Sequence, residues 1–366
     1  MRTAEAREKI LRAVARLAGE GLIERTWGNV SARVSETRFL ITPSGLAYET
    51  LQADQLVMVD IADCSYAGNI KPSSEKGIHA DVYRLRPKVN FIIHTHQTRA
   101  SIAGIEGRAL TGFIHPLLGK RIPCAGYGLP GTKQLRQAVA AEVEAWPDCQ
   151  AFLMRHHGAL CLGQDMEDAF AAARALEEVC EARIHSEMGE PEPVPILRRL
   201  GSSQRSGDVF LMAQHGESRR YPVEGTALPL AAALHGAAYQ AGNFQYIAHE
   251  TSPEVLAVSA EGRRLRPYLD DLAQIAGADI LCVPPDPKRV RAALRGRNAV
   301  LIQGMGALCA GKSESDAAAV RALLRKGCAA KLYAGRVPKC RPLGGMDARL
   351  QRLIYRYSYE RKKDPC

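Results

Sequence analysis

Apolar residues recur at helical spacing over residues 4–19, where Ile10, Leu11, Val14, Leu17 and Ala18 share a face and Gly19 and Gly21 close the element. Short apolar runs bounded by turn residues follow, so that RFLITP and LVMVDI read as strands. EKGIHADVYRLR returns to helical spacing and has to stop before Pro87. NFIIHTH is then a short apolar strand ending in histidines. AFLMRHHGALCLG reads as a strand broken by a turn at Gly158, and Asp165 opens an alanine-rich helix running to about Met188. This alternation predicts a layered α/β domain, without specifying the order of its strands.

The pattern is written twice. The segment 156–184 (HHGALCLGQDMEDAFAAARALEEVCEARI) aligns without gaps to 304–332, with 11 of 29 positions identical. Upstream, 79–96 matches 235–251 with one residue deleted, and EGRAL (106–110) matches EGRRL (261–265). Three collinear matches identify a duplicated domain. The expected organisation is a first domain over 1–190, a linker over 191–221 marked by GEPEPVP and GSSQRSGD, and a second domain over 222–366. On this reading the second copy has no counterpart to residues 1–60.

Composition narrows the classes. The 366 residues are 46% apolar and 24% charged, as expected for a globular protein. No run of about 18 apolar residues predicts a membrane span. The N-terminal segment mixes Glu with Arg and Lys, unlike a secretory signal or transit peptide. Ten scattered cysteines without a C-x-x-C pair suit reduced thiols, and with the preceding point predict a cytoplasmic protein. The net charge of +10 is uneven: residues 1–215 carry 25 basic and 25 acidic side chains, and residues 216–366 carry 24 and 14. A basic half raises a nucleic-acid reading, but no recognised binding motif or aromatic-interleaved basic patch supports it.

The chemistry lies in the first copy. His94 and His96 close a strand, where residues two apart point to one face and can converge on a metal; they can equally be ordinary core or surface histidines. His156 or His157, at the end of another strand, can supply a third nitrogen. Three histidines with an open position describe a catalytic metal site. Glu75 opens a helix, where a carboxylate compensates the helix dipole; beside a metal it can serve as ligand and general base. The polar loops TWGNVSAR, TPSG and KPSSE are turns taken singly, and together offer hydroxyl, amide and backbone N–H groups suited to a phosphate.

GNVSAR, ITPSG, PSSE-x-x-x-H, the H-x-H strand, IPCAGYGLPGT and the HHG segment, in this order, resemble the class II aldolases of the fuculose-phosphate aldolase and adducin-head family. The resemblance covers about residues 5–190. It implies an α/β/α sandwich around a mainly antiparallel sheet, and a divalent ion: Zn2+, or Mn2+, Co2+ or Fe2+. It implies His94, His96 and His157 as metal ligands, Glu75 as acid/base, and Asn29, Ser44, Gly45, Ser73 and Ser74 as phosphate-holding positions. It further implies retro-aldol cleavage of a small ketose phosphate to dihydroxyacetone phosphate and an aldehyde, and a homo-oligomer, a dimer or tetramer of tandem chains. Sugar-phosphate epimerases, decarboxylases and non-catalytic adducin-like scaffolds share the same framework. This sequence departs from the aldolases in FIHPLLG, where Pro116 replaces the tyrosine that protonates the aldehyde-side oxygen. Tyr127 aligns with another family tyrosine. Lys71, Lys76 and His115 lie near in sequence, each better suited to a solvated surface.

By alignment the second copy keeps His249 for His94 but has Thr251 for His96, Met305 for His157 and Ala231 for Glu75. One histidine does not make a zinc site. The expectation is a metal-free, catalytically silent copy. Its C-terminal segment DARLQRLIYRYSYERKKDPC reads as a basic amphipathic helix.

Overall fold

A computed structural model describes residues 1–23, 27–189, 194–196 and 198–357. Thr26, residues 190–193 of GEPEPVP and the tail beyond Tyr357, all singled out above, lie outside the described residues. The chain divides into two units, Met1–Glu187 and Met188–Cys366.

The first unit runs α1 (Thr3–Gly19), β1 (Gly28–Arg33), β2 (Arg38–Ile41), β3 (Val57–Asp60), α2 (Lys76–Leu85), β4 (Phe91–Thr95), α3 (Thr98–Gly104), β5 (Leu110–His115), β6 (Gly119–Ile122), β7 (Cys124–Ala125), α4 (Lys133–Ala145), β8 (Ala151–Met154), β9 (Gly158–Gly163) and α5 (Met166–Met188). Its main sheet has the order β3-β2-β1-β4-β9-β8-β7, antiparallel except for β7 with β8. β5 and β6 form a separate hairpin. One face of the sheet packs Val30, Ala32 and Leu40 under α1, α3 and α5; the other packs Phe39, Ile41 and Ile92 under α2 and α4. Alternating side chains of β1, β2 and β4 thus feed two cores, which makes the α/β/α sandwich. In α1 the buried stripe is Ala6, Ile10, Ala13, Val14 and Leu17; Leu11 is half-buried and Ala18 is exposed.

The second unit repeats the plan: β10 (Ser202–Ser206), β11 (Val209–Gln214), β12 (Glu217–Pro222), α6 (Leu230–Tyr239), β13 (Tyr246–Glu250), α7 (Pro253–Ala260), α8 (Asp270–Ile275), β14 (Cys282–Val283), α9 (Pro287–Leu294), β15 (Ala299–Ile302), β16 (Gly306–Gly311), α10 (Glu314–Ala334) and α11 (Gly345–Tyr355). Its sheet, β12-β11-β10-β13-β16-β15-β14, has the strand order of the first. This corrects two expectations. Residues 202–222 are sheet rather than linker, and the second copy does have counterparts of β1, β2 and β3. SSQRS and ESRRYP lack alternating hydrophobicity because no helix among the described residues covers them as α1 covers β1 and β2: Leu40 is fully buried, whereas its counterpart Leu211 is 50% exposed. A second difference is local. Leu110 and Ile122 pair at the base of the β5–β6 hairpin; the corresponding Leu265–Ile280 bridge encloses α8 instead, on which α11 packs.

The nine cysteines among the described residues form no disulfide. No helix among them is long and apolar enough to cross a membrane.

Candidate metal centre

β4 delivers the first histidines. His94 lies opposite Asn29 of β1 and Leu160 of β9, so it sits in the middle of the sheet, and His96 follows just past the strand end. His157 comes from the turn between β8 and β9, closed by its N–H donating to the Met154 carbonyl (3.0 Å). That turn needs a left-handed residue, and His156 supplies it at φ 62°, whereas the second copy places Gly304 there at φ 67°. A non-glycine side chain in this region costs on the order of 1 kcal/mol. Gly158 then lets β9 pass close to β4: a Cβ there would lie 2.2 Å from the Thr95 carbonyl oxygen and 3.3 Å from the His94 ring.

The three imidazoles converge, with ring centroids 4.5–5.0 Å apart and one ligand nitrogen from each within 4.8 Å of the others. Glu75, at the N-cap of α2, reaches the same point: its Oε1 is 2.8 Å from His157 Nε2 and its Oε2 3.2 Å from His94 Nε2. The His94 tautomer follows from its other nitrogen, since Nδ1–H donates to the Ala159 carbonyl (2.8 Å). Its Nε2 is therefore a lone pair, buried without a hydrogen-bond partner and facing a carboxylate oxygen. Two electron-rich atoms at 3.2 Å repel unless a cation stands beside them. This donor set fits a divalent ion on three histidines, with Glu75 adjoining. Burial and the neighbouring histidines push the His94 imidazole down to about 3, so it is the neutral ligand form at ordinary pH. Burial raises the Glu75 carboxyl, but the surrounding histidines and the His157 hydrogen bond outweigh burial and hold it well below the usual carboxylate range.

A hydrogen-bond relay fixes Glu75 from behind. Asn29 Nδ2 donates to Glu75 Oε2 (2.9 Å), and His79 Nε2–H donates to Asn29 Oδ1. His79 Nδ1 accepts from Ser31 Oγ (2.6 Å), which accepts from the Tyr83 hydroxyl (2.7 Å). Burial lowers His79 to about 4, keeping it neutral and the direction of the relay defined. The motifs GNVSAR and PSSE-x-x-x-H contain Ser31 and His79 but give neither of them, nor Tyr83, a role. The repeat carried a signal, because His79 and Tyr83 align with His235 and Tyr239. In the second unit Ser203 bonds His235 Nδ1 and the Tyr239 hydroxyl at 2.7 Å each, with Ala231 in the place of Glu75. The Ser–His–Tyr clip is therefore a feature of the fold, and Asn29 couples it to Glu75.

The other sequence candidates are placed as follows. The TPSG and KPSSE loops lie side by side, joined by Ser44 N–H to the Lys71 carbonyl (2.9 Å) and Ser73 N–H to the Thr42 carbonyl (3.1 Å). Ser44, Gly45, Ser73 and Ser74 thus gather next to Glu75. The hydroxyls of Ser44 and Ser74 bond no described residue, whereas Ser73 Oγ accepts from Glu75 N–H (3.2 Å). Asn29 is buried and spent on Glu75 and His79, so its amide holds Glu75 rather than standing open to a phosphate. His115 turns back on its own hairpin, Nδ1 accepting from Leu117 and Leu118 N–H. Lys76 lies over the Tyr66 ring, and Tyr127 stands edge-on to His156 with centroids 5.5 Å apart.

In the second unit His249 donates from Nε2 to the Met305 carbonyl (2.7 Å) and accepts at Nδ1 from Leu200 N–H (2.9 Å). Both ring nitrogens are consumed by backbone. Among the described residues the His94–His96–His157 group is the one cluster able to hold a metal.

The profile described as Class II Aldolase and Adducin N-terminal domain matches residues 8–184 and 202–332, most of both units. The chain belongs to this family. Among class II aldolases it is 34% identical over 194 residues to a 5-methylthioribulose-1-phosphate/5-deoxyribulose-1-phosphate aldolase of Escherichia coli O45:K1, covering 52% of this chain and 88% of that protein. It is 32% identical over 181 residues to the L-fuculose phosphate aldolase of Escherichia coli K12, covering 48% and 81%. A solved L-fuculose 1-phosphate aldolase is similar over 52% of this chain and 91% of its own, with 27% identity and a TM-score of 0.47. The second class II aldolase match begins at residue 202, where β10 begins.

Proposed function

We propose that the first unit is a divalent-metal aldolase acting on a small ketose phosphate, cleaving it to dihydroxyacetone phosphate and an aldehyde. The observation that carries this reading is the buried His94 Nε2 lone pair facing the Glu75 carboxylate inside a three-histidine cluster. His94, His96 and His157 would hold the ion, and Glu75 would adjoin it. A divalent cation there supplies positive charge against the negative charge that develops on substrate oxygens when a bond next to a carbonyl breaks. Glu75, kept ionised and aimed by Asn29, takes the proton from the carbon beside the carbonyl in the condensation direction and returns it during cleavage. Ser44, Gly45, Ser73 and Ser74 present hydroxyl and backbone groups to the phosphate, with two free hydroxyls. The similarity to aldolases of fuculose and deoxyribulose phosphates supports a sugar-phosphate substrate. The second unit is a silent copy in a homo-oligomer of tandem chains.

Metal analysis of the purified chain is expected to find about one divalent ion per chain, lost in His94→Ala. Ketose 1-phosphates are then screened for release of dihydroxyacetone phosphate. A chain without metal would overturn the reading in favour of a scaffold. A metal-loaded chain that epimerises or decarboxylates its substrate without cleaving it would overturn the aldolase assignment.

A further inference from the structure

The surplus charge of the chain falls in its second part, and the structure gathers some of it. A groove of about 440 Å³ is lined by Arg264, Arg266, Arg297 and Arg349, with Asp279 as its one lining carboxylate. Arg297 consumes that carboxylate: its Nη2 lies 2.6 Å from Asp279 Oδ1, and its Nε donates to Oδ1 and to the Asp279 carbonyl. Arg264 is only within 3.7 Å of Asp279 Oδ2. Arg266 and Arg349 have neither hydrogen bond nor carboxylate partner among the described residues. Four guanidiniums against one carboxylate leave the groove about three charges positive, and like charges brought together favour a multivalent anion.

The positions of these arginines are set by buried neighbours. Arg264 and Arg266 flank Leu265, which is fully buried and exchanges both backbone hydrogen bonds with Ile280 (2.8 and 2.9 Å), so the two side chains share the opposite, outward face. Arg349 sits on α11, whose Arg352 is buried and donates to the Gln274 and Ile275 carbonyls at the end of α8 (2.8 and 2.7 Å). α11 also begins at the groove, through Gly345, and its first turn carries Asp347. By strand register, the first unit has Ala109, Thr111 and Cys149 where the second has Arg264, Arg266 and Arg297, and α8 and α11 have no counterpart there. The groove is thus built where the copies differ, in the copy without the histidine cluster.

We infer that this groove is a second anion site, taking a small molecule that carries two or more phosphate charges on Arg264, Arg266 and Arg349. Its volume is that of a small-ligand site, and guanidiniums suit phosphate oxygens through paired N–H donors. The site stands apart from the aldolase reading and does not depend on it.

Calorimetric titration of the full chain with pyrophosphate tests the assignment, with inorganic phosphate and phosphatidylglycerol vesicles as parallel arms. Saturable pyrophosphate binding is expected, stronger than that of inorganic phosphate and weakening with added salt. Arg266→Gln/Arg349→Gln, two exposed positions whose replacement leaves the fold intact, is expected to weaken binding by about tenfold or more. The titration is repeated in His94→Ala, which removes the metal centre as a second place for pyrophosphate, and groove binding is expected to remain. In that background, binding that is absent, or that survives the double substitution, would overturn the proposal. So would binding to vesicles with none to pyrophosphate, since that points to a lipid surface.

Discussion

Replacing Gly158 by alanine tests whether the close passage of β9 along β4 sets the metal geometry. The new Cβ would lie 2.2 Å from the Thr95 carbonyl oxygen, where an ordinary contact is 3.4 Å or more, so β9 has to retreat by about 1 Å at this point. The His94 Nδ1 hydrogen bond to Ala159, now 2.8 Å, crosses the same gap and is lost. Overpacking costs about 1–3 kcal/mol, and a buried donor left unsatisfied about 1–3 kcal/mol, giving a net destabilisation of about 2–6 kcal/mol. That corresponds to a fall in melting temperature on the order of 10 °C for a unit of this size. Gly306→Ala is the matched control: its Cβ would meet the Glu250 carbonyl oxygen at 2.3 Å, with φ +92° adding strain, in a unit whose His249 binds backbone only. Scanning calorimetry with metal analysis on the same samples is expected to show destabilisation in both variants and metal loss only in Gly158→Ala. A folded Gly158→Ala chain with the parent's metal content would refute the argument that this contact positions His94 and His157.

Asn29→Ala removes the donor to Glu75 Oε2 and the acceptor of His79 Nε2–H; the expected result is a loss of about 2 kcal/mol in chemical denaturation and metal affinity reduced about 10-fold or more by competition titration. His79 and His235 are buried and neutral, lowered to about 4 and about 3, so the unfolded chain binds their protons first. Their stabilisation is complete above about pH 6.5 and is withdrawn as pH falls toward these values, at about 1.4 kcal/mol per pH step for each histidine. Denaturation curves at pH 7.5 and 5.5 check the sign, and His235→Gln is expected to flatten the slope. Ser74→Ala, at an exposed hydroxyl bonding no described residue, is expected to leave stability within about 0.5 kcal/mol and to raise KM for a ketose phosphate more than it lowers kcat.

Much of the first unit was legible because its strands alternate between two cores and its helices carry continuous apolar stripes. The three histidines were legible for a related reason: a period of two puts His94 and His96 on one face, and a glycine after His157 marks a turn. The relay behind Glu75 was harder to read, since Ser31, His79 and Tyr83 are polar residues within otherwise apolar strand and helix faces, and only the fold shows that they bond one another. The family resemblance implies Asn29 as a phosphate-holding position; nothing in the spacing shows that Glu75 and His79 consume its amide. The strands β10 to β12 were missed for a definite physical reason. The alternation that marks a strand arises from burial, and the face of these strands that would meet a helix mixes Ser202, Gln204 and Arg220 with the half-exposed Leu211.

That uncovered face bears on how the two sheets breathe. In the first unit the backbone hydrogen bonds of β1 and β2 open only when α1 lifts away, which exposes Val30, Ala32 and Leu40 to water. In the second, one face of β10 and β11 already meets solvent at Gln204 and Leu211, and local opening uncovers apolar surface from the other face only, at Phe210 and Met212. Amide hydrogen exchange should therefore divide two ladders of the same strand order into a slow set and a fast one. The same topology would then carry two different timescales, set by a single helix.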